Sequence, residues 1–394
     1  MKRTDFSVDW LFAACAPDTE LLPWNAQFTP VDLPHDWQIR HADDLYRDGT
    51  LFYRKYFFVT DVSGTRRMLW FGGAYMDTTV FVNGTEVGQW KYGYTSFWFD
   101  ITDALHEGQN EVLVRCNLRH PNSRWYSGAG LYRNVELWEA PDLHLMPDGL
   151  YVAAKEGDNG AWTVAVTAEA GSVTAASTGR TLTLHLTDDN GSLLGTAAIP
   201  ADAWAALPSP DGWRTGKETT IYKASHTFTL QDPALWDLDA PSFYHITAEL
   251  TGADGVTDTL TTRFGCRTIE ATPDCGLLVN HKRVLIKGVC IHHDFGCLGS
   301  AFEYSAAKRQ LEILKSMGVN SIRTGHTPPA PQFMDLADEM GILMDVESFD
   351  CWRSGKNPYD YGRFFDEWQE KDVAAWIRRD RNHPSLLFWC IGNE

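Results

Sequence analysis

The 394-residue chain contains no Cys-x-x-Cys pair, which removes the usual spacing of a zinc site. Its eight cysteines, Cys15, Cys116, Cys266, Cys275, Cys290, Cys297, Cys351 and Cys390, are scattered. Several lie in apolar stretches, where a free thiol behaves as a small hydrophobe. That usage points to a reducing, cytoplasmic setting. No run of 18 apolar residues occurs, so no membrane-spanning helix is expected. The opening MKRTDFSVDWLFAACAP has the charged start of a secretion signal. Its apolar run from Trp10 to Ala16 is only seven residues long, however, and Asp5 and Asp9 break the approach to it. It reads instead as a first strand with Trp10 and Phe12 facing a core. Positive charge is scarce: 34 Lys and Arg against 52 Asp and Glu leave a net charge of −18. Nucleic acid, which requires clustered cations, is therefore not an expected partner, nor is a membrane. The excess of negative charge favours solubility.

With 44% hydrophobic and 13% aromatic residues, the chain has material for a large core, and its length suggests two or three domains. Residues 1–142 read as all-β. Short alternating runs such as LFYRKYFFV, RMLWFGG, TTVFVNG and NEVLVRC are separated by turn chemistry, including the hairpin signal Asn83-Gly84. A jelly-roll sandwich is expected there. Residues 143–270 repeat the alternation in WTVAVTAEA, TLTLHLTDDNGSLLG and SFYHITAEL, which suggests an immunoglobulin-like sandwich.

The pattern changes in residues 271–394. RVLIKGVCIHH, NSIRTGH, ILMDVE and LLFWCIGNE read as strands. Helices are expected between them: one from about Ser305 to Gly318, one opened by Pro331 and closed by Gly341, and one over residues 364–381. Parallel β/α units follow. Four such units fit either half of an eight-stranded barrel or the start of a doubly wound sheet. No Gly-rich phosphate loop follows the first strand, which weakens the second reading. Polar residues gather instead at the strand ends: His292, His293 and Asp294; Arg323 and His326; Asp345 and Glu347; Asn393 and Glu394. In a (β/α)8 barrel the active site is built at that end. Imidazoles, an amide and carboxylates, without a nucleophilic Ser or Cys signature, suit the two-carboxylate chemistry of glycoside cleavage. A glutamic acid that donates a proton needs a raised pKa, and burial beside the aromatic residues of FWC would supply one for Glu394. The 16 tryptophans also suit stacking on sugar faces, although most are expected in cores.

At these residues the chain resembles glycoside hydrolase family 2, which includes β-galactosidases, β-glucuronidases and β-mannosidases. LPHDW, FYRKYF and SGAGLYRNVEL resemble its sugar-binding jelly roll. PALWDLDAPSFYHIT is similar to its immunoglobulin-like domain. LIKGVCIHHDFGCLG, SIRTGHTPPAPQFMDLADEMGIL, ESFDCW and RRDRNHPSLLFWCIGNE resemble successive barrel segments. The resemblance implies that Glu394 is the general acid/base and that Asn393 contacts the sugar 2-hydroxyl. His292 and His326 would line the sugar subsite, Arg323 would brace its floor, and Asp350 and Trp352 would form its rim. Arg124 and Trp125 match a jelly-roll loop that reaches the pocket, with a core role for Trp125 equally open. Asp345-Val346-Glu347 departs from the family's Asp-Glu pair and leaves the task of Asp345 open; Glu347 would be structural or subsite-lining. ESFDCW lacks the histidine of a Glu-x-His magnesium site, so no metal ion and no cofactor are expected. The family's nucleophile lies at the end of a seventh strand, which implies that this chain is the N-terminal portion of a longer protein. The resulting expectation is a retaining exo-β-glycosidase acting on terminal β-galactosides. A β-glucuronidase, or a non-catalytic carbohydrate-binding protein with a vestigial barrel, is the alternative. Assembly of the longer protein into a homo-oligomer is left open.

Overall fold

The computed structural model describes residues 1–41, 43–174, 179–207, 217–218, 220–252 and 255–394. The first domain packs a four-stranded sheet (Lys2–Asp5, Val135–Ala140, Arg66–Phe71, Phe97–Asp100) on a six-stranded one (Thr29–Val31, Trp10–Cys15, Gly49–Val59, Gly108–Leu118, Thr78–Val82, Thr85–Trp90). Trp10 and Phe12 are both buried in its core, as the alternation of the first run predicts. The hairpin between Thr78–Val82 and Thr85–Trp90 turns on Asn83 (φ 50°) and Gly84 (φ 79°). Two successive positive φ values match the right-handed twist of the flanking strands, which is why Asn-Gly is preferred there.

The second sandwich faces Leu193–Pro200, Thr181–Asp188, Tyr244–Gly252 and Gly255–Phe264 against a sheet built around Ala161–Ser172 and Thr220–Gln231. Alternate residues Leu182, Leu184 and Leu186 meet Ile246, Ala248 and Leu250 in its core. Each buried side chain of this size contributes roughly 1.5–3 kcal/mol.

The third region is the first half of a (β/α)8 barrel. Strands Gly288–Ile291, Ser321–Thr324, Leu343–Glu347 and Leu386–Cys390 pair in chain order and in parallel. Helices Tyr304–Ser316, Pro331–Glu339 and Phe365–Asp380 connect them. Two sequence expectations are corrected here. RVLIKGVCIHH is not one strand: Lys282–Arg283 closes a small antiparallel sheet with Ile269–Thr272 and Gly276–Val279, and the barrel strand starts at Gly288. The strands are also not all buried on both faces. The two inner strands are covered by helices, but Phe388 and Trp389 on the fourth are 50% and 38% exposed.

This region does not stand apart. Phe349, Tyr361 and Trp368 belong to the same buried cluster as the jelly-roll core, and the Tyr92 hydroxyl donates to Ser348 O at 2.7 Å. The third strand and its following loop are thus clamped to the first domain, which brings a jelly-roll loop over the strand ends.

Candidate active site

The fourth strand delivers Asn393 and Glu394 just past its end. Gly392 makes the turn possible: a Cβ there would lie 2.4 Å from Trp352 Nε1, which donates to Ile391 O at 3.0 Å. The Asn393 amide N–H donates to Phe349 O at 2.9 Å, and its side-chain Nδ2 donates to Asp350 Oδ1 at 3.0 Å. Its Oδ1 accepts from Arg323 at 2.9 Å. Both ends of the amide are committed, so its orientation is set from two strands at once.

Below it, Glu347 is fully buried on the third strand and accepts hydrogen bonds from Arg323 and from His326 Nδ1. A carboxylate can only accept, so His326 carries a proton on Nδ1, and its Nε2 is left without a partner in this network. His292 Nδ1 likewise donates to Gly325 O. Trp125 stacks on the His292 ring with centroids 5.0 Å apart and planes at 13°, and meets His326 edge-on at 5.6 Å. One jelly-roll tryptophan therefore fixes both imidazoles. Asp345 sits on the same strand as Glu347, with a buried Oδ1 that has no hydrogen-bond partner. Burial first, and the Glu347 charge second, push its carboxyl above the usual range. His293 turns away: its Nε2 donates to Ser127 O at 2.9 Å, and burial drives it down to about 3, so it is neutral.

At the rim, Asp350 is the hub. Its Oδ1 accepts from Arg124 at 2.7 Å, from Lys356 at 2.9 Å and from Asn393 at 3.0 Å. Burial pushes the Asp350 carboxyl upward, but these donors outweigh it and hold it below the ordinary carboxylate range. Glu394 Oε2 lies 3.0 Å from Lys356 Nζ and 3.6 Å from Arg124 Nη1. The structure thus brings Arg124, His292, His326, Asp350, Trp352, Asn393 and Glu394 together at one end of the sheet. Glu394 departs from the expectation of burial beside an aromatic. It is 64% exposed, and Lys356 above all, with Arg124 behind it, lowers its pKa. Sequence reasoning missed Lys356, whose only signal is its place in GKNPYD, six residues after Asp350.

Two β-sandwiches leading into a β/α half-barrel, with polar groups pooled at the strand ends, define a modular glycosidase architecture. Three family models match in succession: the sugar binding domain of glycosyl hydrolases family 2 over residues 23–141, glycosyl hydrolases family 2 over 148–267, and the TIM barrel domain of the same family over 271–394. The chain belongs to glycosyl hydrolase family 2. It is 36% identical over 412 residues to the β-galactosidase BoGH2A of Bacteroides ovatus, an alignment covering all of this chain and 46% of that protein. It is 27% identical to a β-glucuronidase of Bacteroides fragilis, covering 94% of this chain and 55% of that one. Among solved structures, a glycosyl hydrolase family 2 member from Bacteroides cellulosilyticus superposes with a TM-score of 0.89 at 29% identity, over all of this chain and 52% of that one. The chain spans about half the length of the relatives it matches.

Proposed function

We propose that the longer protein of which this chain forms part is a retaining exo-β-glycosidase acting on terminal β-D-galactosides of oligosaccharides or glycoconjugates. The observation that carries the proposal is the gathering of Glu394, Asn393, Asp350, His292 and His326 at the ends of the barrel strands, linked through Arg323, Glu347 and Lys356, in a chain that belongs to a glycosidase family. In the first step Glu394 gives its proton to the glycosidic oxygen while a second carboxylate attacks the anomeric carbon from the opposite face. In the next step Glu394 takes a proton from water, which displaces that carboxylate and releases the sugar. The two carboxyl groups would stand about 5 Å apart, as retention requires. The second carboxylate would come from the part of the barrel that follows the fourth strand. Its negative charge would raise the pKa of Glu394 against the pull of Lys356 and Arg124. Asn393, held from both sides, would hydrogen-bond the sugar 2-hydroxyl. The Nε2 atoms of His292 and His326 would hydrogen-bond other hydroxyls of the sugar.

Charge favours a neutral sugar. Arg124 and Lys356 are matched by Asp350 and Glu394, and Arg323 by Glu347. Among the described residues, the three cations at these strand ends, Arg124, Lys356 and Arg323, each already face a carboxylate. A β-glucuronidase is the second reading, supported by the name of the B. fragilis relative; it would require cations from the remainder of the barrel. Turnover of nitrophenyl β-galactoside and nitrophenyl β-glucuronide by the full-length protein separates the two. A preference for the galactoside is expected. A preference for the glucuronide would install the second reading, and turnover of neither would remove both.

A further inference from the structure

Lys356 lies outside every strand and helix of the barrel, yet its ammonium group is fully committed. An ammonium carries three N–H donors, and three acceptors surround this one: Asp350 O at 2.7 Å, Asp350 Oδ1 at 2.9 Å and Glu394 Oε2 at 3.0 Å. The side chain is 18% exposed. Its loop is held just as firmly. The buried carboxylate of Asp360 accepts from the backbone N–H groups of Lys356 at 2.6 Å, Asn357 at 2.7 Å and Gly362 at 2.9 Å. Tyr361, next in the chain, stacks on Phe349 within the jelly-roll core. The cation is thus presented to Glu394 on a rigid support rather than at the tip of a mobile arm.

The charged groups facing Glu394 are few. Lys356 comes from the loop after the third strand, Arg124 from the jelly-roll loop and Asp350 from the end of the third strand; Asn393, beside it on the fourth, is neutral. Arg124 is farther from it, at 3.6 Å, and is 43% exposed, so solvent screens it more.

We infer that Lys356 is a positioning residue that holds the Glu394 carboxylate at the reacting bond and stabilises the negative charge appearing there as the proton leaves. The inference rests on the acid/base role proposed for Glu394. In the first half-reaction the O–H bond of Glu394 breaks, its proton passes to the glycosidic oxygen, and the C–O bond to the leaving group breaks as the nucleophile's bond to carbon forms. Glu394 gains a full negative charge across this step. A cation 3.0 Å away interacts more strongly with the product carboxylate than with the initial acid, so part of its effect is realised only as the transition state is reached. The same cation favours the ionised form in the resting site. It therefore narrows the pH range in which Glu394 still holds its proton, and it sets the upper limb of the pH profile.

The test is the pH dependence of kcat/KM for nitrophenyl β-galactoside in the full-length protein, for wild type, Lys356→Met, Lys356→Gln, Lys356→Arg and Glu394→Gln. Loss of the charge in the Met and Gln variants is expected to move the upper limb up by about one pH unit, to lower kcat at the optimum and to leave KM close to wild type. The Arg variant keeps the charge and is expected to keep the limb in place. Gln retains a polar side chain able to reach Asp350, so a Met variant that fails to fold still leaves the Gln profile to decide. An upper limb unmoved in whichever uncharged variant folds overturns the inference, provided Glu394→Gln abolishes that limb. If Glu394→Gln leaves the limb and the rate intact, it is the acid/base assignment that fails, and the two failures are told apart.

Discussion

Replacement of His383 by alanine is expected to destabilise the protein by about 3 kcal/mol more at pH 6 than at pH 10. His383 lies in the Asn-His-Pro-Ser turn between the last helix and the fourth barrel strand. Its Nδ1 donates to Asp338 Oδ2 at 2.6 Å, and the other oxygen of that carboxylate accepts from the Ser385 N–H at 3.0 Å. Asp338 is buried on the second helix, and Arg263 of the second sandwich reaches it at 3.4 Å. One carboxylate thus ties a helix, the entry to the strand that carries Glu394, and a neighbouring domain. Burial alone would lower the pKa of His383, but the Asp338 charge and hydrogen bond outweigh it and hold the imidazole up at about 9, against an ordinary value of 6.5. A group raised in the folded state contributes stability that is complete below its unfolded pKa. That contribution is lost as pH rises through the folded one. The window is therefore pH 6.5 to about 9, and the gap corresponds to about 3 kcal/mol, in the range found when one partner of a buried ion pair is removed. Urea unfolding at pH 6 and pH 10, followed by tryptophan fluorescence, measures it; Trp376 and Trp389 pack edge-on in the same region, with centroids 4.9 Å apart. Equal destabilisation at both pH values would mean that His383 acts by packing, and would refute the electrostatic argument.

Asp372 is buried where the last helix meets the jelly roll, accepting from Thr95 Oγ1 at 2.7 Å and from the Tyr361 hydroxyl. Burial raises it to about 7, so its contribution is complete below pH 3.8 and is lost as pH rises through 7; Asp372→Asn is expected to flatten the loss of stability between pH 4 and 8 in thermal melts. Glu347→Gln removes the charge that holds Arg323 and His326, and a drop in kcat of the full-length protein by about a hundredfold is expected, with KM rising as His326 loses its orientation. Expressed by itself, the 394-residue chain leaves Phe388, Trp389 and Ile391 at 50%, 38% and 71% exposure on an unpaired strand edge. Concentration-dependent self-association is therefore expected in light scattering.

What could be read directly from the sequence was local. Asn83-Gly84 marks its hairpin because only certain residues tolerate two positive φ values, and Pro331 and Gly341 bracket their helix for equally local reasons. The strand-end cluster was legible because each polar residue follows its own apolar run. What escaped depends on distant contacts. Lys356 meets Glu394 only because Asp360 folds the intervening loop and Tyr361 anchors it in another domain's core. Trp125 stacks on His292 across 167 positions of chain, and no periodicity encodes such a pair. The apolar run Val284, Leu285 and Ile286 reads as part of the barrel strand, whereas Lys282–Arg283 pairs backward with Leu278 and Val279 and the barrel strand begins only at Gly288. The charged groups near Glu394 come from the third-strand loop and the jelly roll, far from the preceding FWC in sequence, and no local pattern encodes them.

The central claim is that Glu394 is the proton donor and acceptor of a β-glycosidase. The most direct measurement compares Glu394→Gln with wild type, both as full-length protein, on a β-galactoside with a poor leaving group and on a dinitrophenyl β-galactoside, whose leaving group departs without protonation. For the first, kcat/KM is expected to fall by about 10²–10⁴-fold, while formation of the glycosyl-enzyme from the second is nearly unaffected and an initial burst of dinitrophenol appears. Equal losses on both substrates, or none on either, would contradict the assignment.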